Sequence, residues 1–171
     1  MKLKKFEGNP ILSPKKGSWW EGACTTNPAA WYEDGKVRLL YRAGPNTAEH
    51  PVFFGLAESS DGFHFKRLFD EPVFSPSHDG FDAGCVEDPR VVKFEDTYFV
   101  TYATRKFRPG AYWTKKFKLT DHNPPLPASA PLAARENISR SGLALTKDFI
   151  SWHRMGAITP ASVDDRDAIL F

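Results

Sequence analysis

A segment of this chain occurs twice at a fixed offset, and that repeat restricts the fold more than any other property of the sequence. ACTTNPAAWYEDGKVRLLYRA at 23–43 returns as GCVEDPRVVKFEDTYFVTYAT at 84–104. Cys24 then matches Cys85, Asn27 matches Asp88, Pro28 matches Pro89 and Tyr41 matches Tyr102, all 61 positions apart. NPILSP at 9–14 recurs as EPVFSP at 71–76, and GLAESSDGFHFKR at 55–67 recurs as GLALTKDFISWHR at 142–154. The last pair is 87 apart, so an insertion separates Ala103 from Gly142. A chain written this way folds as neighbouring copies of one supersecondary unit.

The unit itself reads as β structure. Aromatic and β-branched runs are broken by Pro, Gly and Asp, and no stretch shows a helical period. YEDGK at 32–36 is a hairpin signal centred on Asp34-Gly35, and Glu95-Asp96 holds the same place in the second copy. Each copy supplies a lead-in strand, a hairpin, and a GLA strand closed by an Asp-aromatic turn. Four strands in about 60 residues is the size of one β-propeller blade, whereas a parallel solenoid has shorter repeats without hairpins. The expectation is an all-β propeller with blade-like units at about 23–83 and 84–163 and a third beginning near 164, where DDRDAILF places Arg166 opposite Asn27 and Asp88. Propellers carry about 4–8 blades, so two blades and the start of a third are expected to be part of a larger propeller. The chain also ends on the apolar strand AILF with nothing to protect its edge.

The insertion, about 106–138, joins a basic-aromatic stretch, KFRPGAYWTKKFK, to the Pro/Ala-rich NPPLPASAPLAA. It reads as a surface excursion with polyproline character, or as a lid or subunit contact beside the site. Charge is nearly balanced, 23 Lys+Arg against 21 Asp+Glu, so nothing points to nucleic acid or a membrane surface. The basic N-terminus lacks the apolar run of a secretory signal, and two cysteines are too few for a disulfide framework. These features predict a cytoplasmic protein with free thiols. No Cys/His/carboxylate spacing suggests a metal site.

In a propeller the innermost strands converge on one axis, so equivalent positions face a shared cavity. Asn27, Asp88 and Arg166 hold that position as an amide, a carboxylate and a guanidinium, a divergence that suits a binding site better than a structural repeat. The run GCVEDPRVVKFEDTYFVTYA around Asp88 resembles the GVEDPR segment of glycoside hydrolase family 130, the β-mannoside phosphorylases and related mannosidases. NPIL-P, NPAAWYEDGKVRLLYRA, GLAESSDGFHF and DDRDAILF resemble that family in the same order, over nearly the whole chain outside the insertion.

The resemblance implies a five-bladed propeller and inverting phosphorolysis of a β-mannoside to mannose 1-phosphate and a shorter sugar. It implies that Asp88 is the general acid, its proton passing through a hydroxyl of the bound mannose while phosphate attacks from the opposite face. Arg140 and Arg166 match the family's phosphate arginines, and Asn27, Arg42 and Asp61 match positions lining the sugar site. Asp148 repeats Asp61, however, so that Asp has a second reading as a turn-closing residue. Glu87 reads as a brace for Arg90 or nearby backbone. Trp19, Trp20 and Trp152 read as packing, and His64 and His153 as parts of the repeated turn. The partners implied are an oligosaccharide and inorganic phosphate as co-substrate, with no other cofactor and with a homo-oligomer left open. The alternatives are a β-mannoside hydrolase of the same family and a non-catalytic propeller binding carbohydrate or protein.

Overall fold

A computed structural model describes residues 2 and 4–170. Eight strands form two four-stranded sheets: β1 (Cys24–Glu33), β2 (Lys36–Gly44), β3 (Phe53–Ser59) and β4 (Lys66–Arg67), then β5 (Cys85–Phe94), β6 (Thr97–Arg105), β7 (Arg140–Thr146) and β8 (Trp152–Ala157). Within each sheet the strands lie in chain order and pair antiparallel with their sequence neighbours. The β1–β2 loop takes positive φ at Asp34 (49°) and Gly35 (75°), as a tight two-residue hairpin demands, and Glu95 (54°) does so at the matching place between β5 and β6.

The sheets stack through non-equivalent faces. Leu40 and Leu56 of the first sheet meet Tyr102, Val100 and Ala144 of the second in one core that also takes in Phe54, Phe74 and Phe149. Tyr41, the counterpart of Tyr102, lies instead in a separate cluster with Trp20, Ala43, Phe53 and Ala57. A two-sheet sandwich related by a two-fold would bring equivalent faces together. Meeting head to tail is what repetition around an axis produces, and the two sheets are blades of a β-propeller.

Each blade is tied by a buried carboxylate that the sequence comparison overlooked. In the first, Glu21 accepts from the Tyr41 hydroxyl (3.1 Å) and from Arg67 Nε (2.8 Å). In the second, Asp82 accepts from the Tyr102 hydroxyl (2.8 Å) and from Arg154 Nε (2.9 Å). Burial, and then the adjoining carboxylate, raise both tyrosine pKa values well above the ordinary one, which keeps the phenols protonated as donors. The glycine of each GLA motif makes room for the same ring: a Cβ on Gly55 would lie 2.2 Å from Tyr41 Cζ, and one on Gly142 2.6 Å from Tyr102 Cζ. Gly55 pairs with Tyr41 and Gly142 with Tyr102 across the ladder, so the 61- and 87-residue offsets meet at one structural device.

A further tie spans the blades at the ends of their inner strands. Glu33 of β1 receives Lys93 Nζ and the Tyr98 hydroxyl from the second sheet, besides Arg38 Nη1 of its own (2.6 Å). Lys93, then Tyr98, hold the Glu33 carboxyl at about 2, below its ordinary 4.5. Because the folded value is depressed, the stabilisation is fully present above the ordinary value and is lost as pH falls toward the folded one. Glu33→Gln is therefore expected to lower the melting temperature near neutral pH, with the gap from wild type closing below about pH 4. Thermal melts of both proteins across that range check this. A gap that stays constant would show that Glu33 contributes by packing alone.

The insertion between β6 and β7 contains a 3-10 turn, Tyr112–Thr114, and a one-turn helix α1, Leu132–Arg135. Its base is stapled by Asn137, which is fully buried. The Asn137 amide donates to the carbonyls of Phe107 (3.0 Å) and Leu119 (3.0 Å) and accepts from Phe107 N (2.9 Å). Farther out, the amides of Gly110 and Ala111 donate to the carbonyls of Glu49 and Ala48, so the segment lies against the β2–β3 loop of the other blade. Among the described residues no helix is long and apolar enough to cross a membrane.

Candidate active site

The inner strands β1 and β5 carry the same irregularity. Pairing of β1 with β2 slips between Thr26 and Ala29, and pairing of β5 with β6 slips between Glu87 and Arg90. Two residues of each inner strand, Asn27-Pro28 and Asp88-Pro89, thus oppose one residue of the neighbour, a β-bulge. Proline fits there because the bulge needs no ladder donor. Asn27 (φ 43°) and Asp88 (φ 52°) are left-handed, a conformation that Asn and Asp tolerate best among residues with a Cβ. Held strain of this kind costs of order 1–3 kcal/mol and clusters at functional sites.

The two bulges turn their side chains toward each other. Asn27 Nδ2 donates to Asp88 Oδ1 at 2.8 Å, joining the blades at the repeated position. Arg42, opposite Thr26 on β2, spans both acids, with Nη1 to Asp88 Oδ1 at 3.0 Å and Nη2 to Glu87 Oε1 at 3.2 Å. Side-chain exposure is 19% for Arg42, 13% for Asp88 and 8% for Glu87, so the cluster is sheltered yet reachable. Burial opposes the Arg42 charge, but Glu87 and Asp88 outweigh it and raise its pKa above the ordinary guanidinium value. Arg42 Nε is buried without a partner among the described residues. Both contacts to the Asp88 carboxylate fall on Oδ1, and among the described residues none hydrogen-bonds to Oδ2. One oxygen is anchored and the other is left without a hydrogen-bond partner among the described residues.

Glu87 braces Arg42, not Arg90 as its neighbourhood in sequence suggested. Arg90 holds the bulge from behind: Nη1 donates to the carbonyls of Asp88 (2.9 Å) and Pro89 (3.1 Å), and Nη2 reaches Asp167 at 3.3 Å. The Glu87–Arg42 and Arg90–Asp167 contacts could be found in sequence only as unassigned charges flanking the Asp-Pro pair, because the partners lie 45 and 77 residues away.

Among the described residues, the other expected site residues make no hydrogen bond to this trio. Asp61 lies just past β3, beyond the Ser59–Val37 pair and so at the opposite end of the sheet from Arg42. Its Oδ1 accepts from the amides of Phe63 and His64, both at 2.8 Å, and Asp148 does the same for Ile150 and Ser151. Asp61 closes a turn present in both blades, the second reading that its repeat as Asp148 offered. Arg140 opens β7, two strands out from β5. Its Nη2 donates to the Thr159 carbonyl, and its guanidinium lies 5.9 Å from the centre of the Phe81 ring. Arg166 is exposed on a segment that runs back across the second blade, tied by the Thr101 hydroxyl to the Ala168 carbonyl (2.6 Å) and by Arg90 to Asp167. The left-handed residue of this segment is Asp167 (φ 67°), so the backbone counterpart of Asn27 and Asp88 falls one position after Arg166.

A family model described as β-1,4-mannooligosaccharide phosphorylase, glycoside hydrolase family 130, matches residues 2–149. The chain belongs to glycoside hydrolase family 130. Two curated relatives come from Thermoanaerobacter sp. (strain X514). A 1,2-β-oligomannan phosphorylase is 39% identical over 176 residues, covering 100% of this chain and 49% of its own length. A β-1,2-mannobiose phosphorylase is 37% identical over 112 residues, covering 59% of this chain and 36% of its own. This family-130 chain therefore spans about half the length, or less, of these relatives. A solved structure from work on family-130 glycoside hydrolases that target β-1,2 mannosidic linkages in Candida mannan is 28% identical, with TM-score 0.62 over 88% of this chain and 39% of that one.

Proposed function

We propose that this family-130 chain carries the acid half of a β-mannoside phosphorylase, which moves a mannosyl group from an oligosaccharide to inorganic phosphate. The observation that carries the reading is the Asp88 carboxylate, anchored through one oxygen by Asn27 and Arg42 where two blades converge. The phosphorylase names of both curated relatives support it. In the proposed step Asp88 supplies a proton toward the glycosidic oxygen, by way of a mannose hydroxyl. The bond from the anomeric carbon to that oxygen breaks, and a phosphate oxygen bonds to the anomeric carbon from the opposite face, inverting it. Asn27 and Arg42 hold the acid and the sugar beside it. Arg166, exposed on the segment that returns to Arg90, is the proposed phosphate cation, with Arg140 as the second.

The test is release of mannose 1-phosphate against free mannose from a β-1,2-mannooligosaccharide, with and without phosphate, on the full-length protein. Phosphate-dependent mannose 1-phosphate is the expected product. Arg166→Ala is expected to weaken apparent phosphate affinity about tenfold or more, the worth of a lost charge-assisted contact, with a much smaller effect on the mannoside. Free mannose at the same rate in both conditions would overturn phosphorolysis. It would instead establish hydrolysis, the reading favoured by the hydrolase work on the 28%-identical relative.

A further inference from the structure

Beside the acid cluster lies a cleft of about 400 Å³ whose outer wall is the insertion. It is lined by Arg42, by Asn46, Thr47 and His50 of the β2–β3 loop, and by Trp113 and Thr114 of the 3-10 turn. The Trp113 indole meets the His50 ring edge-on at 4.5 Å and is 53% exposed. His50 is fixed beneath it: the ring is buried, and Nδ1 lies 2.9 Å from the Pro45 carbonyl. Burial lowers the His50 pKa below its ordinary value, so the ring is a neutral donor to that carbonyl at neutral pH.

We infer that this cleft is a sugar subsite, with Trp113 as its aromatic platform, and that it takes a pyranose of the substrate other than the mannosyl unit transferred. A pyranose presents a flat C–H face and a rim of hydroxyls. An exposed indole framed by an amide, two hydroxyls and a guanidinium matches both, and the volume lies in the ordinary range for a small-ligand cleft. Position assigns the sugar unit. Arg42 touches Asp88 with Nη1 and lines the cleft, so the cleft begins one guanidinium away from the acid that acts on the leaving oxygen. Two anchors make the wall a fixed part of the site: the Asn137 staple at its base and the backbone bonds from Gly110 and Ala111 to the other blade. The insertion thereby sets how much room the leaving sugar has, which makes Trp113 a specificity-determining residue.

The inference rests on the β-mannoside reading, and calorimetric titration separates the two. β-1,2-Mannobiose and mannose 1-phosphate are titrated into full-length Asp88→Asn protein, with and without Trp113→Ala or Trp113→Phe. Loss of the platform is expected to weaken mannobiose binding about threefold to tenfold, the range of one aromatic stacking contact. Trp113→Phe should restore most of it, and mannose 1-phosphate should bind equally to all three. Trp113 is largely exposed, so its removal leaves the core untouched. Equal mannobiose affinity with and without Trp113 would overturn the subsite while leaving the β-mannoside reading in place. Absence of mannobiose binding in the Asp88→Asn protein that retains Trp113 would overturn that reading, and the subsite with it.

Discussion

Replacing Asp88 by asparagine is expected to slow β-mannoside turnover by about 10²–10⁴-fold, the usual worth of a general acid, while mannoside binding is kept. The substitution is well matched to its position. Asn27 already occupies the equivalent left-handed, pre-proline place in the first blade, so asparagine fits the Asp88 backbone without new strain. Arg42 retains its contact with Glu87, and the shape of the pocket is unchanged. What is lost is the ionisable carboxyl for which the acid role is proposed. Turnover and binding are measured on the same full-length preparation, and near-wild-type turnover would remove Asp88 from the acid role.

The second large effect is on stability. Asp82→Ala is expected to lower the unfolding free energy by about 3 kcal/mol, because a buried charge-assisted pair is broken and the Tyr102 hydroxyl is left buried without an acceptor. Arg154 softens the loss. Its side chain is 33% exposed and stacks 4.2 Å from the Phe74 ring centre, so water can replace the carboxylate. Tyr102→Phe keeps the Asp82–Arg154 pair and should cost only about 1 kcal/mol, a single hydrogen bond. Urea unfolding of the three proteins tests the ordering. Equal losses for both substitutions would mean that the carboxylate matters only as an acceptor for tyrosine.

Much of the architecture could be read from residues alone, because it depends on local rules repeated at a fixed spacing. Asp34-Gly35 and Glu95-Asp96 mark hairpins through backbone preference, and alternating aromatic and β-branched residues mark strands. The 61-residue recurrence then says that whatever one unit does, the next does also, and it brings Asn27 and Asp88 to one position. Their hydrogen bond is the three-dimensional form of that recurrence. The motif around Asp88 likewise pointed to the family that the comparisons show.

Tertiary structure decided the roles that depend on which charges share a space. Asp61 matched a family position in sequence, yet its carboxylate is spent on the amides two and three residues ahead, at the far end of the sheet. Glu87 turns to Arg42 instead of Arg90, a choice between two cations that spacing along the chain does not make. Trp113 sits in an insertion outside the repeat and reaches His50 only because backbone bonds carry that segment onto the other blade. A repeat predicts what recurs, since backbone geometry is local and copied with the unit. Partners of a buried charge or a wall of a cleft do not recur, because they are chosen by whichever groups long-range packing leaves within reach.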